Sequence, residues 1–199
     1  MAARISKNAY AKVGGLAQNA IQRKKDEDGL TVLDGASTEI PGAGTALTSG
    51  HIASAVSRIS SNATEPGNPP YRCVLHGFQI KDLYDELTAA VSTAERSDIS
   101  GITARVFEEG FRGKIAGVEI YEDGNITIDS STDDAKGGVF AQEAIVMVQG
   151  RAPRTATVRR EDIGGGATVV YLYDEYAYGE RSAGNWLFEV QSDATAPTS

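Results

Sequence analysis

The sequence predicts an α+β fold, with helices in the first half of the chain and strands in the second. Apolar residues recur at helical spacing in three segments before residue 90. After residue 100, glycines and alternating apolar residues dominate, which is typical of strands and hairpins. Of the 199 residues 41% are hydrophobic and 23% are charged, so the chain can bury a sizeable core and is not a disordered polymer.

The first predicted helix covers residues 4–25. Its apolar side chains form one helical stripe at Ile5, Ala9, Val13, Leu16 and Ala20. The glycine pair at 14–15 interrupts this pattern and predicts a kink or the close approach of another backbone. We expect the helix to stop at the acidic turn of residues 26–29, ahead of a glycine-rich loop over residues 34–50.

A helix–strand–helix arrangement is predicted for residues 48–87. Helical spacing indicates helices around residues 52–59 and 80–87, with Thr48 or Ser49 as the N-cap of the former. Residues 71–76 are rich in strand-forming side chains and predict a buried strand between the two helices. The three elements together favour a small layered α/β unit.

Several strands are predicted beyond residue 117. Alternating apolar residues on both sides of the turn at 122–125 predict a hairpin. Further strands are expected at residues 139–148, 167–173 and 186–190. The segment 167–173 is apolar on both faces, so we expect it, together with Trp186, to be buried in the core or at an interface with a partner.

The net charge of −8 is unevenly distributed along the chain. Residues 1–25 contain six basic and no acidic side chains, so the remainder of the chain carries −14. A basic arm of this kind predicts contact with something acidic, either nucleic acid or another copy of the chain. The acidity of the whole chain argues against a dedicated nucleic-acid-binding protein.

A second basic cluster lies at residues 151–160 beside Glu161 and Asp162. Such a cluster is either a solvated face or a source of ion pairs between subunits. We therefore take the basic residues of both regions as candidate intersubunit contacts: Arg4, Lys7, Lys12, Arg23, Lys24, Lys25, Arg151, Arg154, Arg159 and Arg160.

No catalytic or metal site is predicted from the sequence. Cys73 and His76 are the only plausible nucleophile–base pair, but residues three apart on a strand point to opposite faces. We expect Cys73 to be a buried core thiol and His76 a hydrogen-bonded strand end. The acidic alternation at residues 123–129 lacks the glycine and final glutamate of a calcium loop. We expect no catalytic residues, no cofactor and no metal.

Two stretches resemble the major capsid protein of tailed double-stranded-DNA phages, the Hong Kong 97-type shell subunit. In residues 47–87, a helix and a loop precede the segment from Pro70 through His76 to Gln79 and a further helix. This order is similar to the family's helix, "pyv-vlhp-q" strand and following helix, although Gly77 stands where the family usually has proline. Residues 137–193, which include Trp186, are similar to the C-terminal strands of such subunits.

The resemblance implies a Hong Kong 97-like capsid subunit divided into three segments. Residues 1–46 would form the spine helix and following loop of the peripheral domain, residues 47–136 an axial-type helix–strand–helix unit with a hairpin, and residues 137–199 the strands that return to the peripheral domain. We expect the N-terminal arm and extended loop of the family to be missing. A natural minimal form, a split reading frame and a truncated chain remain open explanations, as does another chain that supplies the arm.

The resemblance implies a structural protein that self-assembles into the icosahedral head shell of a tailed phage. Its implied partners are copies of itself and the packaged double-stranded DNA, contacted without sequence specificity, and no membrane. It would be made in the host cytoplasm and reside in the virion. The alternatives are a head decoration or accessory protein, and a small-ligand-binding or enzyme domain that uses the strand of Cys73 and His76.

Overall fold

Three helices and eight strands form the described part of the chain, which comprises residues 7–92, 114–163 and 166–197 of the computed structural model. The α+β class is confirmed. The helices are α1 (Lys7–Asp34), α2 (Ser49–Ser60) and α3 (Gly77–Ser92). The strands are β1 (Glu39–Ile40), β2 (Tyr71–Leu75), β3 (Lys114–Ile115), β4 (Val118–Glu122), β5 (Asp134–Phe140), β6 (Ile145–Arg160), β7 (Ala167–Glu180) and β8 (Leu187–Asp193). No described helix has the length and apolarity needed to span a bilayer.

The chain divides into two compact units, each built from two separate stretches of sequence. The ribbon unit comprises Met1–Asp28 and Met147–Gly179, and the sheet unit comprises Gly29–Val146 and Glu180–Ser199. The boundaries fall inside α1, β6 and β7, so these three long elements contribute to both units. The division into three consecutive segments that the resemblance implies stays a prediction.

The sheet unit is built on a six-stranded mixed sheet with the order β1-β8-β5-β2-β4-β3. Strand β2 occupies an inner position, where Cys73 is in register with Val139 of antiparallel β5 and with Ile120 of parallel β4. All three side chains are buried. The core between sheet and helices is formed by residues from each layer, among them Ile52 of α2 and Leu83 of α3, both fully buried.

The helix–strand–helix prediction for the sheet unit is confirmed by α2, β2 and α3. Thr48 is the N-cap of α2, where its backbone N–H donates to Nδ1 of His51 at 3.1 Å. The predicted apolar stripe of α2 faces the core, since Ile52, Ala55 and Ile59 are buried. The apolar stripe predicts this helix correctly because its buried face packs against the core of the same chain and not against a partner.

The predicted end of α1 at residues 26–29 is wrong, because the helix continues to Asp34. Exposed i,i+4 ion pairs join Arg23 to Glu27 at 3.0 Å and Lys24 to Asp28 at 2.7 Å, which supports the helix across the acidic segment. The last turn is also held by Leu33, which is buried in the core of the sheet unit. At the glycine pair 14–15 the helix is continuous, and no neighbouring atom in the described chain approaches closely.

The predicted hairpin around residues 122–125 is also wrong. Strand β4 pairs with β3 on one side and with β2 on the other, while residue 128 makes only an isolated bridge with Ala135. The tight turn lies before β4 instead, at Ala116 and Gly117, both of which have positive φ. Two successive residues of this kind are what a two-residue hairpin turn requires.

The strand expected at residues 139–148 is two strands, β5 and β6, interrupted where Glu143 has a positive φ of 65°.

The segment 167–173 is the first half of β7, and it is not buried in the core of this chain. Trp186 is buried as expected, and its indole N–H donates to the carbonyl of Glu65 at 2.8 Å.

Candidate assembly surface

The ribbon unit consists of the greater part of α1 and a two-stranded sheet of β6 and β7, as far as the structure describes it. Lys25 of α1 joins this sheet through an ion pair with Asp174 at 2.5 Å, and its ammonium lies 5.1 Å from the ring centre of Tyr176. The Tyr176 hydroxyl donates to Asp28 at 2.8 Å. These contacts attach one face of β7 to the helix.

The charges at this attachment shift pKa values in the directions that the contacts require. The ammonium of Lys25 lowers the pKa of Asp174, mainly through its hydrogen bond. Burial, and then the hydrogen bond to Asp28, raises the pKa of Tyr176 to about 12. At neutral pH the two aspartates, whose pKa values are lowered, are therefore charged, and the tyrosine is a neutral donor. Lys25 thus uses its charge within its own chain.

The opposite face of β7 carries two tyrosines. Tyr171 and Tyr173 alternate with Asp174 and Tyr176 along the strand, so they project away from the face that contacts α1. Their rings stack with centres 6.1 Å apart, and the guanidinium of Arg154 from β6 lies 5.2 Å from the Tyr173 ring. Both tyrosines are exposed, at 39% and 46%.

Among the residues that the structure describes, every buried hydrophobic side chain belongs to the sheet unit. The ribbon unit has instead most of the described large hydrophobic residues that are exposed, including two from the predicted stripe of α1. They are Val13, Leu16, Met147, Val148, Val158, Ile163, Val170, Tyr171 and Tyr173. A helix and a two-stranded ribbon without a buried core need further contacts to be stable in water.

The nine predicted contact residues that the structure describes all belong to the ribbon unit. Arg4 lies outside the described residues, and Lys7 begins α1 but its side chain is not described. Lys12 is exposed. Besides the pairs of α1 above, three exposed arginines of the ribbon are bound to carboxylates nearby. These pairs are Arg151–Glu175 at 3.4 Å, Arg159–Glu161 at 3.2 Å and Arg160–Asp162 at 2.7 Å.

The two units differ in the sign of their charge. Ten basic and seven acidic residues give the ribbon unit +3, whereas nine basic and twenty acidic residues give the sheet unit −11. The ion pairs within the ribbon unit are exposed and screened by solvent, so they contribute little to stability and leave the arginines available for other carboxylates. The contrast has the same signs as the +6 and −14 of the division at residue 25, on which the sequence argument rests, but it is smaller.

The thiol of Cys73 is fully buried, and this burial strongly raises its pKa. It therefore stays protonated at neutral pH, which is the opposite of what a nucleophilic cysteine requires. His76 accepts a hydrogen bond at Nδ1 from the Phe78 backbone N–H at 3.2 Å, and burial lowers the pKa of its ring. Both residues occupy the structural roles that the sequence predicts for them.

The sequence indicated the tyrosine face only indirectly. The apolar pattern on both sides of residues 167–173 predicted that something covers this strand, but it gave no indication that Arg154 lies over Tyr173. That contact joins two strands whose pairing the sequence does not specify.

Comparison with solved structures identifies the fold. The chain is similar to a structure from Mycobacterium phage Che8, with 20% identity, a TM-score of 0.64 and coverage of 93% of this chain and 63% of that one. The capsid of cyanophage P-SCSP1u gives 15% identity and a TM-score of 0.63, with 96% and 67% covered. The SrpI encapsulin complex of Synechococcus elongatus gives 10% identity and a TM-score of 0.63, with 100% and 71% covered.

No family model and no curated protein matches this sequence. The fold is nevertheless clear: the chain has the Hong Kong 97-like capsid fold over most of its length, as the resemblance in the sequence implied. It spans 63% of the Che8 chain and 66% of the corresponding chain in the head of Helicobacter pylori phage KHP40, less than two thirds of each.

Proposed function

We propose that this protein is the repeating subunit of the icosahedral head shell of a tailed phage, which encloses double-stranded DNA. The single observation that carries the proposal is the exposed apolar surface of the ribbon unit, which has no buried core of its own among the described residues. In a shell, neighbouring copies cover such a surface. Similarity in fold to a cyanophage capsid supports the same conclusion.

The mechanism is self-association and not catalysis. Identical subunits that meet through head-to-tail contacts close into a ring when each contact adds a fixed rotation about a symmetry axis, and contacts around several such axes close a shell. Burial of the ribbon's apolar side chains supplies the driving force at about 25 cal/mol per Å² of surface removed from water. The charges of +3 and −11 on the two units favour contacts between unlike units of different copies.

The test is to purify the full-length protein and measure its mass in solution and its appearance by electron microscopy at low and high ionic strength. We expect closed shells, with a higher concentration needed for assembly in 1 M salt because salt screens the contacts between unlike units. A protein that stays monomeric at every concentration and ionic strength would contradict the proposal.

The contents of the particle separate the phage head from other uses of this fold. We propose that particles from the native host contain double-stranded DNA, held without sequence specificity. Nuclease treatment before and after disruption of the particle, followed by gel analysis, measures protected DNA. Particles that protect no DNA would contradict this part of the proposal.

A further inference from the structure

In the ribbon unit, the face of the β6–β7 sheet opposite α1 has the composition typical of the centre of a protein–protein interface. Arg154 and Tyr173 meet across the two strands, and by alternation Val148 and Val158 of β6 and Tyr171 of β7 lie on the same face. All five side chains are exposed. We call this set, Val148, Arg154, Val158, Tyr171 and Tyr173, the aromatic face.

We propose that the aromatic face binds the acidic surface of a second copy of this chain; the proposal rests on the shell function proposed above. Tyrosine and arginine are enriched among residues that dominate binding energy in protein interfaces, and here they are already stacked together. The aromatic face would therefore enter a contact with little further loss of side-chain freedom.

Charge complementarity favours a second copy as the occupant. Arg154 makes no ion pair within the described part of the chain, whereas the neighbouring arginines of the ribbon do. The sheet unit carries −11 and exposes carboxylates such as those of Glu39 and Asp133. A desolvated arginine stacked on an aromatic ring gains from such a carboxylate more than an exposed surface pair does.

The charges near the face disfavour nucleic acid as its occupant. Glu175 lies on the same side of β7 by alternation, and Glu161 and Asp162 lie beside the arginines at the far end of β6. A phosphate backbone would be repelled by these groups and by the net charge of −8. A protein surface that presents a carboxylate to Arg154 and apolar groups to the tyrosines avoids both costs.

The first test replaces the two tyrosines, Tyr171→Ser with Tyr173→Ser, and measures the protein concentration at which shells form. Loss of two interface anchors is expected to raise this concentration about tenfold or more. Tyr121→Ser is the matched control, because Tyr121 is 48% exposed but lies in the sheet unit. The control is expected to stay within about twofold of the unchanged protein.

A second variant keeps the proposal testable if the double change disturbs folding. Arg154→Glu reverses one exposed charge, and circular dichroism checks that the helices and strands remain. We expect it to raise the assembly concentration at low salt, and to lose part of that effect in 1 M salt. Unchanged assembly of either well-folded variant would overturn the proposal.

Photocrosslinking identifies the occupant directly. Benzoylphenylalanine in place of Tyr173 is activated in shells formed from equal amounts of ¹⁴N- and ¹⁵N-labelled protein. Crosslinks of mixed isotope composition to acidic peptides of the sheet unit support the proposal. Crosslinks within one copy, or to nucleic acid, overturn it. If the unchanged protein forms no shells the proposed function fails; if shells form without this contact, only the present inference fails.

Discussion

The buried amide of Gln79 is expected to be one of the main polar supports of the sheet unit. Its Nε2 donates to the carbonyl of Ala135 at 3.0 Å and to Oγ of Ser192 at 2.7 Å, while its Oε1 accepts from the backbone N–H of His76 at 3.0 Å. Gln79 and Ser192 are fully buried. One side chain on α3 thus connects β5, β8 and the residue that follows β2.

Replacement Gln79→Leu removes all three hydrogen bonds but keeps a side chain of similar size. At about 1 kcal/mol per bond the loss of unfolding free energy is about 3 kcal/mol. The backbone N–H of His76, the carbonyl of Ala135 and the hydroxyl of Ser192 are then left without this partner, and because they are partly or fully buried, water cannot fully replace the lost hydrogen bonds. Ser192→Ala removes only one of the bonds and is expected to cost about 1 kcal/mol.

Urea unfolding of the unassembled subunit, followed by the fluorescence of the single tryptophan Trp186, measures these losses. A double-mutant cycle then tests whether the bond is shared. In the Ser192→Ala background, Gln79→Leu should cost about 1 kcal/mol less than in the unchanged protein. A loss below about 1 kcal/mol for Gln79→Leu alone would refute the reasoning that this network supports the sheet.

Three further predictions concern the same unit. Leu75→Ala should lower the unfolding free energy of the unassembled subunit by about 2–5 kcal/mol, because Leu75 is fully buried, whereas exposed Val148→Ala should change it by less than about 0.5 kcal/mol; equal urea midpoints would contradict this. Iodoacetamide should label Cys73 at least about 100-fold more slowly in the native than in the unfolded protein, since its thiol is buried with a raised pKa; rapid native labelling would instead support a reactive thiol. Burial raises the pKa of Asp82, so the ionised carboxylate lowers the stability of the folded state at pH 7, and protonation at low pH removes this cost. Asp82→Asn, which can still accept from the Leu47 N–H, should therefore be more stable than the unchanged protein at pH 7, with a difference that shrinks as the pH falls towards the ordinary carboxyl pKa of 3.8; a difference that grows on acidification would refute it.

The elements that could be predicted from sequence are those whose environment is supplied nearby. The helix α2 is an example, because the cap at Thr48 and the buried stripe through Ile52 and Ile59 are both written into a short segment. The structure also explains part of the segment from Pro70 to Gln79, which resembles the capsid pattern. Its final glutamine is Gln79, whose hydrogen bonds require that residue type at that place.

Features that depend on distant partners were not predictable in the same way. The hairpin prediction failed because β4 pairs with β2, more than forty residues earlier in the chain, and a turn signal carries no information on that pairing. The continuation of α1 past residue 29 likewise depends on Leu33 reaching the core of the sheet unit. The acidic segment followed by glycine predicts a stop, but these local preferences are weaker than the contact of Leu33 with the core.

The candidate surface was predictable in composition but not in position. The nine described basic residues among those selected from the sequence all lie in one structural unit, although they come from two regions more than 120 residues apart. The pairing of Arg151 with Glu175, and the stacking of Arg154 on Tyr173, depend on strand register. Whether they contact other subunits stays a prediction for the assembly experiments.

The strands at the two margins of the six-stranded sheet have a consequence for the proposed shell, in which copies of the chain would be densely packed. In the described part of the chain these margins are β1 and β3, of only two residues each. Such short edge strands offer few free N–H and C=O groups to a strand of another molecule, which hinders edge-to-edge association of sheets into fibres. In the proposed shell, copies would then recognise one another through side chains, whose contacts can be specific and reversible during assembly.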